Sequence, residues 1–521
     1  MPSSHGAVPR GLPSTPSSST TTGRFGRMFR RLPFYEHRPE TLVALGDTMI
    51  QGLENGELDK ALGVEDDDEN TGTLSGGGLR LPAGYTYFGQ FVDHDITFDP
   101  VSSLVAQNDP DALTDFRTPR FDLDSVYGRG PDDQPYLYEP GGIKLRLGES
   151  RSANPEVAGP DLQRNVDGRA LIGDPRNDEN LIVSQLQVAM IKFHNKVVDQ
   201  VQADTQLAGG DLFKLAQQTV RWHYQWVVIH DYLRRLVGID VVNDILKPQQ
   251  YLTPLSSPHS VVRPRLLFYH WRKQPFMPVE FSAAAYRFGH SIARPSYLIN
   301  DVIPVPVVPN AARIPLFSQG GGDLTHLNGF RPLPQEWGVQ WKYLLAGVNN
   351  AAGPNDAHLP QPSYKLDSEL GHPLGALPDS IATAQDLFAG IPATEAQSLA
   401  VRNLLRGRAL GLPSGQDVAR AMGIDPLSDG ELFGDVTLTN DARTDLNGHA
   451  PLWFYVLKEA QLKADAHRLG AVGGRIVAEV LIGLLDGDPL SYLSVNPTWT
   501  PTLPGHTANN FTLTDIINFG L

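Results

Sequence analysis

Two long stretches of the 521-residue chain carry apolar residues at helical spacing, and sustained strand alternation is scarce. In residues 180–203, Leu181, Ile182, Val188, Ile191, Val198 and Val201 fall close to one helical face. In residues 211–237, Leu212, Leu215, Trp222, Trp226, Ile229, Leu233 and Leu236 do the same, with Asp211 as the expected cap. Further helices fit 280–293, 394–408, 454–469 and 474–486. A mainly α fold is therefore expected. The 50 Gly and 42 Pro residues predict long irregular connections between its helices.

Residues 1–29 are expected to form a disordered Ser/Thr/Pro-rich segment, built on the Ser, Thr, Pro and Gly of 1–23, while the basic-aromatic stretch RFGRMFRRLP that follows residue 23 is expected to dock on the body. Residues 30–521 then form one large domain. Residues 64–79 read as a loop with an acidic run. The net charge of −15 argues against nucleic acid and anionic membranes as bulk partners. No run of 18 apolar residues suggests a membrane span. The chain has no Cys, which excludes disulfides, thiolate ligation and Cys-based catalysis. The N-terminus has no charged region followed by an apolar one, so cytoplasmic location or non-classical secretion is expected.

Four segments can carry chemistry. In GQFVDHDITFDP (89–100), Gln90, Asp93 and His94 sit at i, i+3 and i+4, which is one face of a helix. Alone, the segment could equally be a polar turn. In TPRFDLDSVYG (118–128), Thr118, Asp122 and Asp124 alternate, which turns oxygens to one side as a hard cation requires. An acidic surface loop would read the same way. In GDPRNDEN (173–180), Asp174 can cap a helix, Pro175 fits its first turn, and Arg176 and Glu179 project near its start. In EFSAAAYRFGHSIARPSY (280–297), Ala283, Ala284, Ala285 and Gly289 allow something flat to approach, and His290 follows Arg287. A lone helical His is more often a core residue than a ligand.

Taken in order, the four segments resemble the animal-type (cyclooxygenase–myeloperoxidase-like) haem peroxidases. His194–Asn195 and RNLLRGRALGLP (402–413) match two further elements of that family. The resemblance spans about 85–415. It implies a large single-domain, mainly α peroxidase fold that binds haem b and Ca²⁺. Hydrogen peroxide would be reduced through a ferryl intermediate, and small organic or halide donors oxidised, in a response to oxidative stress. His290 would be the iron ligand, with Asn403 accepting its Nδ1 proton and Arg287 one turn away. His94 would be the distal base, Arg176 its charged partner, and Gln90 a hydrogen-bonding neighbour. Asp93 and Glu179 match carboxylates that ester-link the haem. Asn180 stands where a sulfonium-forming Met would be, so that link is not expected. Asp95, Thr118, the Arg120 carbonyl, Asp122 and Asp124 would hold the calcium.

The same superfamily offers a fatty-acid dioxygenase, and a non-enzymatic haem-binding adhesion module is a third reading. Tyr269-His270-Trp271 resembles the dioxygenase radical-Tyr motif, but Arg272 stands where the proximal His should be. Absence of Cys and of a signal peptide points to a bacterial-type lineage.

Overall fold

The computed structural model describes residues 23–51, 81–98, 113–152, 159–247, 263–303, 313–317, 326–348, 360–378, 395 and 397–503, and 510–521. The 64–79 loop and residues 1–22 lie outside them. The described part is mainly helical, and its core is one connected apolar cluster. The helix Leu181–Thr205 forms the centre. Asn180 caps it by accepting from the Ile182 N–H at 2.8 Å. Its apolar stripe packs against Gly209–Val227, the C-terminal helix Leu513–Gly520 and the helix Gly84–Ile96. That last contact fixes one wall of the site described below.

Several expected boundaries differ from what is observed. Asp211 does not cap its helix, which starts earlier, at Gly209. Asp211 lies instead in the exposed first turn, where its charge favours the helix dipole. The helix expected through Val237 is interrupted by a wide π turn, Val228–Tyr232, before Leu233–Val237 resumes. Asp174 does cap, with Pro175 behind it, but the element is the separate short turn Pro175–Asp178. The expected 280–293 helix is broken into Val279–Ser282 and a 3₁₀ turn, Ala285–His290. Arg287 Nε donates to the Ser282 carbonyl at 3.0 Å, satisfying an acceptor released by the break. The later helices run Leu399–Ala409, Leu452–Lys463 and Ala471–Gly487.

Residues 23–29 are ordered, which moves the boundary of the expected 1–29 disordered segment, and the basic-aromatic stretch from Arg24 packs on the body as expected. Gly23–Gly26 is a strand, pairing antiparallel with Thr114–Asp115 (Gly23 opposite Asp115) and parallel with Met277–Pro278 (Phe25 opposite Met277). Met28 and Phe29 are buried, and their N–H groups donate to the Glu280 carboxylate. A second small ladder pairs Ser296–Tyr297 with Ile314–Pro315.

Candidate active site

Gln90, Asp93 and His94 line one cavity of about 320 Å³, together with Glu179, Arg287, Gly289 and His290. The Gly84–Ile96 helix supplies the first three from its shared face. Gly89 is required there, because a Cβ at that position would lie 2.2 Å from the Tyr232 hydroxyl.

The orientation of His94 follows from a chain of amides. Gln187 Nε2 donates to the Ser125 carbonyl at 3.3 Å, so its oxygen is the end that accepts from Asn177 Nδ2, at 2.9 Å. Asn177 therefore turns Oδ1 to His94 Nδ1, at 2.7 Å. An amide oxygen can only accept, so Nδ1 carries the proton and Nε2 keeps its lone pair. Burial, with help from the positive Arg176, pushes the His94 pKa down to about 3. The ring is thus neutral across the physiological range. Its Nε2 lies 3.6 Å from Glu179 Oε1, which also accepts from Gln90. Burial raises the Glu179 carboxyl to about 7, against the pull of Arg176. Burial likewise raises Asp93, whose Oδ1 accepts from Thr97 Oγ1 at 3.1 Å.

Arg176 departs from the expected arrangement, because it does not line the cavity that holds His94. Asp174, two residues earlier, takes its Nη2 at 2.7 Å and its Nε at 3.2 Å. The carbonyls of His94 and Thr97 take Nη2 as well, at 3.1 and 2.6 Å. Among the described residues, Arg176 thus fixes the backbone of His94 and contributes charge, with no hydrogen bond to the ring. It lines a neighbouring polar pocket of about 170 Å³ with Thr97, Arg287 and Arg406. The two spaces share Asp93, Ser282 and Arg287.

His290 ends the 3₁₀ turn, and its Nδ1 is 2.7 Å from Asn403. The direction of that bond differs from expectation. Arg287 Nη1 donates to Asn403 Oδ1 at 3.0 Å, which leaves the amide nitrogen facing His290. A guanidinium has only donors, so it takes the amide oxygen. His290 Nδ1 accepts here, and no hydrogen-bond partner is found for Nε2 among the described residues. Burial lowers the His290 pKa to about 3, and Arg287 adds to this. Beside it, a Cβ on Gly289 would meet nothing within 4 Å.

Asp95, Asp122 and Asp124 bring carboxylate oxygens within 4.8 Å of one another. Thr118 Oγ1 donates to Asp122 Oδ2 at 2.7 Å. The N–H of Leu123 and the hydroxyl of Ser125 donate to Asp95, each at 3.3 Å. Arg117 reaches Asp124 at 3.3 Å, yet the buried Asp124 Oδ1 has no hydrogen-bond partner. Burial and the neighbouring carboxylates raise Asp95, and burial foremost raises Asp124 to about 7. Arg120 is buried beside this loop, and its N–H donates to the Thr118 carbonyl at 2.7 Å.

Two other motif residues hold structure. His194 Nε2 contacts the Ile143 carbonyl at 2.9 Å, and its Nδ1 the Tyr127 hydroxyl at 3.0 Å. Asn195 exchanges hydrogen bonds with the Leu145 backbone at 2.8 and 2.9 Å. Sequence reasoning missed Asn177 and Gln187; their signal was amide side chains close in sequence to Arg176.

Residues 106–314 match the animal haem peroxidase family. The matched segment includes Arg176, His290 and the Asp122–Asp124 loop, while His94 and Asn403 lie outside it. Peroxidase A from Dictyostelium discoideum has a similar structure, with a TM-score of 0.55 at 14% identity, covering 94% of this chain and 92% of its own. Fatty acid alpha-dioxygenase from Arabidopsis thaliana gives a TM-score of 0.53 at 16% identity, covering 89% and 73%. A fatty acid alpha-dioxygenase from Oryza sativa with palmitic acid gives 0.55 at 15%, covering 90% and 76%. At these identities the likeness is one of fold. No curated protein matches the chain by sequence.

Proposed function

We propose that this chain is a haem-dependent peroxidase that reduces hydrogen peroxide and oxidises small organic or halide donors. The observation that carries the reading is a neutral histidine with a free lone pair, His94, lining the same cavity as a second histidine, His290. The residues present fit a haem. The cavity combines a flat approach at Gly289 with an unbonded imidazole nitrogen, and an arginine-lined polar pocket adjoins it for carboxylates.

When bound, haem supplies the redox-active iron for peroxide reduction. His290 would hold the iron through Nε2, which requires its proton to sit on Nδ1. Asn403 must then turn its oxygen to His290, so Arg287 must release it. Arg287 and Arg406 would meet the haem carboxylates. His94 Nε2 would take a proton from one peroxide oxygen and return it to the other, aiding O–O cleavage. Asn177 would keep it in the active tautomer. Arg176 would act through its field and through the backbone of His94, not by touching peroxide. Gln90 and Glu179 would orient water or a halide. Asp93 and Glu179 would be the sites of ester links to the haem.

A Ca²⁺ ion would be held by Asp95, Asp122 and Asp124, with Thr118 and the Arg120 carbonyl completing the shell. Three crowded carboxylates and an orphaned buried oxygen support this site.

A dioxygenase is the second reading, favoured by the apolar wall of Ile292, Leu316, Phe317, Leu374, Leu377 and Leu399. Against it, Tyr269 does not line the cavity, and its hydroxyl donates to the Phe276 carbonyl at 2.6 Å. The deciding experiment loads the protein with haem and compares peroxide-dependent oxidation of a chromogenic phenol with oxygen uptake on linoleate. Phenol oxidation without oxygen uptake is expected; the reverse result would establish the dioxygenase.

A further inference from the structure

Three tyrosines line the cavity, Tyr87, Tyr232 and Tyr286, and none has a part in the chemistry above; two of them touch each other. Tyr232 and Tyr286 both line the cavity, and their hydroxyl oxygens are 3.2 Å apart. The Tyr286 hydroxyl also lies 3.3 Å from the Gly89 carbonyl. Behind them, the ring of Tyr85 runs parallel to that of Tyr232, within 5° and with centroids 6.4 Å apart. Tyr85 is buried, and its hydroxyl donates to Asp231 Oδ2 at 2.6 Å. Asp231 is held in place by Arg235 Nε at 2.8 Å and by the Leu513 N–H at 2.9 Å. Arg235 also lies 4.5 Å from the Tyr85 ring centroid. The π turn Val228–Tyr232 sets Asp231 and Tyr232 side by side, and such turns recur at functional positions.

A phenol that loses one electron becomes strongly acidic. It is therefore oxidised most easily where a base within hydrogen-bond reach can take its proton. Tyr85 has a carboxylate at that distance. The hydrogen bonds of Tyr232 and Tyr286 are to each other and to a carbonyl.

We infer that Tyr85 is a redox-active tyrosine, wired to the cavity through Tyr232 and Tyr286, with Asp231 as its proton acceptor. This rests on the peroxidase reading above. Tyr85 gives one electron, by way of Tyr232, to the haem site after its two-electron oxidation by hydrogen peroxide. The phenolic O–H bond breaks and the proton passes to Asp231 Oδ2. The products are a neutral Tyr85 radical, a protonated Asp231 and a haem site one electron more reduced. A small organic donor then returns one electron to Tyr85 and is itself oxidised by one electron. The proton moves back from Asp231 to the phenolic oxygen. The cavity thereby stores an oxidising equivalent away from the site where peroxide binds.

The test is freeze-quenched electron paramagnetic resonance on the haem-loaded full chain after one equivalent of peroxide. Wild type is expected to show a protein radical whose signal narrows when its tyrosines are ring-deuterated. Tyr85→Phe keeps the ring and loses only the hydroxyl; its radical yield is expected to fall at least tenfold while peroxide still changes the haem spectrum. A purely structural Tyr85–Asp231 bond would lower thermal stability and leave the radical yield alone. In a second protein, 3-aminotyrosine incorporated at Tyr85 should give its own distinct radical signal. Full tyrosyl yield in Tyr85→Phe would overturn the inference, as would a peroxide-responsive haem spectrum with no protein radical in wild type. A haem spectrum that ignores peroxide would overturn the peroxidase reading itself and the relay with it.

Discussion

Replacing Asn177 by Leu removes the only acceptor found among the described residues for the His94 Nδ1 proton, a bond of 2.7 Å in a buried setting. The side chain is of similar size, so the helix and the turn should keep their positions. Leaving a buried N–H unsatisfied costs about 1–3 kcal/mol. The ring can avoid that cost by moving its proton to Nε2, which then faces Glu179 Oε1, 3.6 Å away. In that tautomer His94 cannot accept a proton from peroxide. A shift of about 1.4–2.8 kcal/mol toward the inactive tautomer corresponds to a rate loss of roughly 10- to 100-fold. Stopped-flow mixing of haem-loaded protein with peroxide measures this directly. Gln187→Leu, one link further along the amide chain, should lose less. Haem content should be unchanged in both. If Asn177→Leu reacts at the wild-type rate with full haem, the amide chain does not set the tautomer.

Three further perturbations have expected outcomes: calcium removal, a change at His194 and repeated peroxide cycling. Chelating calcium should lower activity before the protein unfolds, because Asp95 adjoins His94. The chelated protein should also lose stability as pH rises between about 4 and 7, since Asp124 is raised to about 7 and must ionise without a cation; the calcium-loaded protein should lack this slope in urea unfolding at pH 5 and 7.5. Burial depresses His194 to about 4, so its contribution is present above about pH 6.5 and is lost as pH falls toward 4, with an upper bound of about 3 kcal/mol. His194→Gln should therefore lose less stability than wild type between pH 7.5 and 4.5; an equal loss would show that His194 does not titrate as described. After repeated peroxide cycles, part of the haem should resist acid–butanone extraction through links to Asp93 and Glu179, and Asp93→Asn with Glu179→Gln should restore full extraction.

The helical content was legible because 3.6-residue periodicity is local, and Leu181–Thr205 shows it along its whole length. The shared face of Gln90, Asp93 and His94 was legible for the same reason, since one helix carries all three. What one residue does to a distant one was less legible. Arg176 was expected as the charged partner of His94 at the reaction site, yet Asp174 and two carbonyls compete for its guanidinium, and it does not line the cavity. The Asn403 bond was anticipated, but its direction depends on Arg287, which is 116 residues away in sequence. The break between Ser282 and Ala285 was hidden because small residues fit a helix and a 3₁₀ turn alike. The strand at Gly23–Gly26 exists only through partners near residues 114 and 277, which no local pattern announces.

The pairing of His94 as base with His290 as ligand is tested most directly by His94→Ala. The measurement is the rate of the first reaction of the haem-loaded variant with peroxide, taken alongside its haem content. The expected result is full haem content with a rate lower by roughly two to four orders of magnitude, the usual worth of a positioned acid–base group. A wild-type rate would place the base elsewhere, and loss of haem would make His94 a structural residue.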